Sequence, residues 1–274
     1  MLPTISPYTG GKARLQIRKW ILDLIPPARK DQTYVEPFAG MLSILLSRPK
    51  AGVEIVNDRS DRIVNMWQVY QKDPDEFIRR ISKVLWSETF YQWAKENVDC
   101  VDPYDRALAV FMVLKLSQEH SAEYFTGMGV GYSPAGHPRR HHSEELLYMI
   151  WQRIKSVQFL NRCALKLLKR IAREKGAVIY CDPPYIGTEN KFYEGELDYD
   201  EFKDLLSQQK GLVALSGEGD FYDDLGWHKH ELDGVQNAAC GVSKSKKTWR
   251  TECLWTNYDP REYKSPLFLE HFST

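Results

Sequence analysis

The four residues Asp182-Pro183-Pro184-Tyr185 are those in the chain best suited to chemistry. They directly follow AVIYC (Ala177 to Cys181), an apolar, β-rich run of the kind that forms a buried strand. In an open parallel sheet, ligands bind just outside the carboxyl ends of the strands, which is where this tetrapeptide must stand. Two prolines fix two φ angles and remove two N–H donors, leaving a stiff turn of acceptors between a carboxylate and an aromatic ring. The Asp182 carboxylate and a proline carbonyl can accept two N–H bonds, while Tyr185 offers a stacking face. Such a corner suits an amino group carried on a flat ring. The same residue types also build ordinary turns with a helix-capping aspartate, which is the plainer use of them.

Positioning that corner requires a sheet. Three further runs resemble buried parallel strands: TYVEP (Thr33 to Pro37), VEIVN (Val53 to Asn57) and LVALS (Leu212 to Ser216). Helical periodicity follows at Asp61 to Tyr70 and Asp200 to Leu206, so strand and helix alternate as in an α/β layered fold. VQFL (Val157 to Leu160), HKHEL (His228 to Leu232) and ECLWTNY (Glu252 to Tyr258) are weaker strand candidates. The long gap between VEIVN and VQFL exceeds what one crossover needs and reads as a helical insert, with helices over Pro74 to Asn97 and Pro103 to Leu116, ending near Ile154.

With 274 residues the chain can bury a sizeable core, and 37 Lys+Arg against 37 Asp+Glu exclude a polybasic coat while allowing local basic grooves. Hydrophobic residues at 43% and charged residues at 27% argue against wholesale disorder. No apolar run approaches a membrane span, and MLPTISPYTGGKARLQIRKW has no apolar signal region. Five cysteines without a CxxC pair suit a reducing cytosol, so a cytoplasmic protein is expected. No GxGxxG or Walker loop occurs, and His137, His141 and His142 lack partners at metal-ligand spacing, so no metal is expected.

Asp182-Pro183-Pro184-Tyr185 resembles the DPPY motif of adenine-N6 DNA methyltransferases, and other elements agree in order. Pro7 to Lys12 (PYTGGK) resembles the Y-x-G-G-K element of the Dam-like, D12 class, and Glu36-Pro37-Phe38-Ala39-Gly40 its cofactor loop. Asn57-Asp58, Asn190 to Tyr193 and Leu215-Ser216-Gly217 are similar to later elements. The resemblance implies a Rossmann-like methyltransferase sheet with an inserted helical target-recognition subdomain. Residues 1–60 and 155–274 would then bind S-adenosylmethionine and perform catalysis, and 61–154 would bind DNA. It implies catalytic roles for Asp182, Pro183, Pro184 and Tyr185, and a cofactor site made of Tyr8, Gly11, Lys12, Glu36, Phe38, Ala39, Gly40, Asp58, Phe159, Asn161 and Asp182. Tyr8 and Lys12 would hold the cofactor's carboxylate. Asp58 would accept from the ribose hydroxyls, or would instead cap the helix starting at Ser60 or Asp61.

Two positions depart from the pattern. Leu42 stands where a small residue is usual, and Asn161-Arg162-Cys163 replaces N-x-D, so a bond to the cofactor's adenine amino group is missing or comes from Asn161. Double-stranded DNA is the implied partner. Phosphate contacts are expected from Arg139 and Arg140, beside His137, His141 and His142, and from Lys244, Lys246, Lys247 and Arg250, although charge runs are commonly just solvated. The segment Ser117 to Tyr132 lacks the stretch typical of GATC-specific members. Methylation of cytosine N4 or of adenine in RNA is an alternative, and so is a decayed DNA-binding protein, though intact Lys12, Asp182 and Tyr185 speak against decay. A partner restriction endonuclease is compatible with this reading.

Overall fold

The computed structural model describes residues 1–6, 8, 12–84, 87–117, 128, 142–185, 197–236 and 249–263. Seven strands form one sheet in the order β3-β2-β1-β4-β5-β7-β6. β1 (Thr33–Glu36), β2 (Val53–Asp58), β3 (Gln158–Asn161), β4 (Ala177–Cys181) and β5 (Leu212–Gly217) are mutually parallel. β7 (Trp249–Thr256) runs antiparallel to β5, and β6 (His228–Gln236) antiparallel to β7. The α/β layering and Rossmann-like sheet expected from sequence are present, and all seven anticipated strands form. HKHEL continues past Leu232, through an irregularity before Val235, to Gln236.

The pleat sends alternate side chains to two separate cores. Tyr34, Val56, Val178, Tyr180, Ala214 and Leu254 join one apolar cluster, which also contains Ile17 and Ile21 of α1 (Leu15–Leu24). Their neighbours Val35, Ile179, Cys181, Val213, Leu215 and Trp255 join the other, covered by α7 (Ala164–Ile171) and α8 (Tyr199–Ser207). Both faces are therefore buried, which is why the parallel strands read as continuous apolar runs rather than alternating ones.

Helices α2 (Asp61–Lys72), α3 (Pro74–Ser82), α4 (Glu88–Asn97), α5 (Pro103–Leu116) and α6 (Glu144–Ile154) lie on the first face. Their apolar side chains belong to the same cluster as Tyr34 and Val56, so the described part of the segment 61–154 shares its core with the sheet. The stretch Pro74 to Asn97 is two helices rather than one: α3 ends at Ser82, and Ser87 starts α4 by accepting the Phe90 N–H at 3.1 Å. α5 is buried on every side from Ala107 to Leu116, as a helix enclosed by α2 and α4 must be.

Candidate active site

All five parallel strands deliver their carboxyl ends to one edge. Glu36 pairs with Val56, Asp58 with Asn161, and Cys181 with Leu215, so the segments after β1, β2, β3, β4 and β5 emerge side by side. Because β7 runs the other way and Gly217 pairs with Cys253, the start of β7 brings Arg250 and Glu252 to that same edge. Gly217 is required where it stands: a Cβ there would lie 3.0 Å from both the Trp255 and Tyr222 rings.

After β4, Asp182-Pro183-Pro184-Tyr185 forms a corner built largely of charge. The Lys12 ammonium donates to Asp182 Oδ1 at 2.6 Å and to the Tyr185 hydroxyl at 2.8 Å, and it lies 4.9 Å from the centroid of the Tyr185 ring. The side chain of Lys12 is 1% exposed and that of Asp182 is 16% exposed. Burial alone would lower the Lys12 ammonium, but the charges of Asp182 and Glu252 outweigh it and hold the group above its ordinary value. Burial pushes the Asp182 carboxyl up, opposed by Lys12. The Tyr185 phenol is pushed up by burial. Tyr185 in turn donates to Glu252 Oε2 at 3.2 Å, and Glu252 Oε1 accepts from Arg250. Arg250 also reaches Glu218 Oε1 at 3.0 Å. Of the two proline carbonyls, that of Pro184 already accepts from the Tyr199 hydroxyl at 2.8 Å.

The loop after β1 is built differently. Gly40 takes φ +46°, a left-handed conformation, and a Cβ there would meet the Tyr8 ring at 3.1 Å. Its N–H donates to Asp58 Oδ2 at 2.8 Å, its carbonyl accepts from Trp67 Nε1 at 2.9 Å, and Ala39 N–H donates to the Asn57 carbonyl at 2.9 Å. The backbone donors of Ala39 and Gly40 are thus spent within the protein. What the loop presents is the Asp58 carboxylate beside a small pocket lined by Ala39, Gly40, Val56, Ile63, Phe159 and Leu160. Asp58 Oδ1 also accepts from Ser60 N–H at 2.9 Å, while Ser60 itself caps α2. The Asn57 side chain ties this loop to β3, donating to the carbonyls of Pro37 at 3.0 Å and Arg162 at 2.9 Å and accepting from Arg162 N–H at 2.9 Å. Leu42, the departure noted in the sequence, adopts φ +58° with its side chain fully buried.

The remaining expected residues divide. Phe159 stacks near Trp67, with centroids 6.3 Å apart, and the Asn161 amide donates to the carbonyls of Asp58 at 3.0 Å and Arg59 at 2.9 Å. Phe38 points its ring edge-on to Phe202 at 5.6 Å, among packing partners. Glu36 is buried and accepts from the Tyr34 hydroxyl at 2.7 Å; burial pushes its carboxyl up to about 7, against the pull of Tyr34, Arg48 and Arg153 and with Glu54 adding to the push. Lys12 lies against Asp182 and Tyr185, in the acceptor corner. Gly11, Arg139, Arg140, Lys244, Lys246 and Lys247 lie outside the described residues, as do Asn190 to Tyr193. Arg250 is described, and its guanidinium faces two carboxylates.

Sequence reasoning overlooked Trp67, which anchors the Gly40 carbonyl, and Glu252 and Glu218 around Arg250. A usable signal existed for Glu252: an acid amid the apolar residues of ECLWTN, sharing alternation with Arg250 and Leu254.

The residues present fit S-adenosylmethionine at its nucleoside end, where an apolar slot adjoins a partly exposed carboxylate of the kind that accepts from hydroxyls. Its carboxylate end finds no such match at Lys12, whose ammonium engages Asp182 and Tyr185.

A DNA adenine methylase from Serratia marcescens is 26% identical over 253 residues, covering 88% of this chain and 90% of that protein. One from Salmonella typhi is 25% identical over 184 residues, covering 65% of this chain and 63% of the relative's length. Among solved structures, the rRNA methyltransferase aviRa from Streptomyces viridochromogenes aligns over 94% of this chain and 89% of its own, at 12% identity and a TM-score of 0.38, too distant to bear on function. The pattern that defines the D12 class N6 adenine-specific DNA methyltransferases matches residues 8–213, and the chain belongs to that family.

Proposed function

We propose that the protein transfers a methyl group from S-adenosylmethionine to the N6 amino group of adenine in double-stranded DNA. The single observation that carries this reading is the meeting of Lys12, Asp182 and Tyr185 at the carboxyl edge of the sheet, across 170 and 173 positions of sequence. Family membership and relatives named DNA adenine methylase support the same reaction.

When bound, S-adenosylmethionine supplies a methyl group made electrophilic by a positive sulfur. Asp58 would hold its ribose hydroxyls, with Ala39, Gly40 and Phe159 around the nucleoside and Asn161 beside it. The amino group of adenine is a poor nucleophile because its lone pair is delocalised into the ring. Asp182 and the Pro183 carbonyl would accept its two N–H bonds, making the nitrogen pyramidal and freeing the lone pair, and one of these two protons would be released to solvent once nitrogen carries the methyl. Lys12 opposes the burial that favours the neutral acid and holds Asp182 in place for this task. Tyr185 would stack on the base, which must leave the duplex to reach the corner. Catalysis on this reading is alignment and charge stabilisation. Arg139, Arg140, Lys244, Lys246 and Lys247 would contact phosphates, and residues 61–154 would supply target recognition. The proposal carries with it a cytoplasmic location and accommodates a partner restriction endonuclease.

The test is incubation of the purified protein with methyl-labelled S-adenosylmethionine and mixed-sequence duplex DNA, followed by nucleoside analysis and sequencing of the modified positions. N6-methyladenine at a defined sequence is the expected result. Label on cytosine N4 or only on RNA overturns the substrate, and no transfer to any nucleic acid overturns the reaction.

A further inference from the structure

Glu252 is an acid with almost no access to water, at 1% side-chain exposure, and burying a carboxylate costs several kcal/mol unless its oxygens are satisfied. Here both oxygens face the acceptor corner. Oε2 accepts from the Tyr185 hydroxyl at 3.2 Å and Oε1 accepts from Arg250, whose other contact is Glu218. The Tyr185 oxygen is therefore gripped from two sides, accepting from Lys12 at 2.8 Å and donating to Glu252. A phenol held by an ammonium and a carboxylate at once cannot swing its hydroxyl away without breaking a charge-assisted bond. The strand that carries Glu252 is antiparallel, and this alone brings its first residues to the ligand-binding edge.

We propose that Glu252 is a positioning residue for methyl transfer and that Arg250 serves it. Glu252, braced by Arg250, fixes the position of the Tyr185 hydroxyl, and with it the place and long axis of the ring, and gives Lys12 a second negative neighbour besides Asp182. The inference rests on the reading of Asp182 to Tyr185 as the acceptor site. Arg250 then acts within the protein rather than as a free phosphate contact. A ring meant to stack on a base must be presented at a fixed place, and misplacement of a positioned group by about 1 Å can cost on the order of a hundredfold in rate.

A double-mutant cycle on the full chain tests this, using Glu252→Gln, Tyr185→Phe and both together. Tyr185→Phe keeps the stacking ring and deletes only the hydroxyl. Each single variant should lower kcat about tenfold with saturating DNA and cofactor, while the dissociation constant for S-adenosylmethionine stays within about twofold. The double variant should be no slower than the worse single one, because both changes break the same contact. Losses that multiply, an unchanged kcat in Tyr185→Phe, or a cofactor affinity that falls in step with kcat each overturn the proposal. Should Glu252→Gln fail to fold, Arg250→Met completes the same cycle with the same outcomes. A wild-type protein that methylates DNA while the cycle shows no coupling overturns this inference alone; a wild-type protein that transfers no methyl group overturns the parent reading and this one with it.

Discussion

The acceptor corner and the loop after β1 lie on the same edge of the sheet but are held by different forces. At the corner, Lys12, Asp182, Tyr185, Glu252 and Arg250 make a chain of ionic and charge-assisted bonds between residues far apart in sequence. At the loop, Ala39 and Gly40 are held by the Asn57 carbonyl, the Asp58 carboxylate and the Trp67 indole N–H, and the conformation includes a positive φ at Gly40. A site held by charge responds to any change of charge near it. One held by backbone shape responds to shape. The first suits a group that must polarise a substrate, the second a group that must admit a large ligand without moving.

That contrast can be broken at either end. Asp182→Ala should lower kcat by on the order of a hundredfold to a thousandfold and leave cofactor binding within about threefold, read by label transfer and by equilibrium binding. Equal activity would remove the corner from the mechanism, and a matching loss of cofactor binding would merge the two regions into one. Gly40→Ala should do the reverse. A left-handed alanine costs about 1–2 kcal/mol, and its Cβ would press on the Tyr8 ring, so cofactor affinity should fall about tenfold while kcat at saturation holds. Binding isotherms and saturation kinetics on the same preparation separate the two.

The smallest effect concerns Glu36, a buried charge within the shape-held loop's own strand. Its carboxyl is raised from 4.5 to about 7, so the folded state keeps a proton that the unfolded state gives up. The contribution is fully present below 4.5 and is lost as pH rises through about 7. Glu36→Gln should therefore abolish a loss of stability of roughly 1–3 kcal/mol that the wild type shows across that window. Thermal melts from pH 4.5 to 8 would show the two curves diverging as pH rises. Parallel curves would mean that Arg48 and Arg153 neutralise Glu36 fully.

Much of this architecture is legible in the sequence because burial on both faces gives β4 and β5 nearly continuous apolar runs and leaves β1 and β2 mostly apolar, Glu54 being a buried exception. The edge strands are harder to read. β3 is exposed at Gln158 and Asn161 and only half-buried between them, so its pattern is weak. α7 goes unread although Leu165, Leu168 and Ile171 share one face. The tetrapeptide after β4 is legible because its residue types are unusual together. Its partners are not, since which residue meets Tyr185 depends on strand register, and the 67 positions between Tyr185 and Glu252 give no local signal. Lys12 is legible as a functional cation, but its place is set by tertiary packing, against the acceptor carboxylate. Leu42 marks the opposite case: the sequence flags the position as unusual, and the structure finds its backbone left-handed, a conformation that residues bearing a Cβ rarely adopt.

The reversed direction of β7 has a bearing on how the molecule is made. A ribosome releases Lys12 before Asp182 and Asp182 before Glu252, so the cationic end of the cluster is made before either counter-charge. A nascent chain in which β7 has yet to pair leaves the Tyr185 hydroxyl without the Glu252 carboxylate.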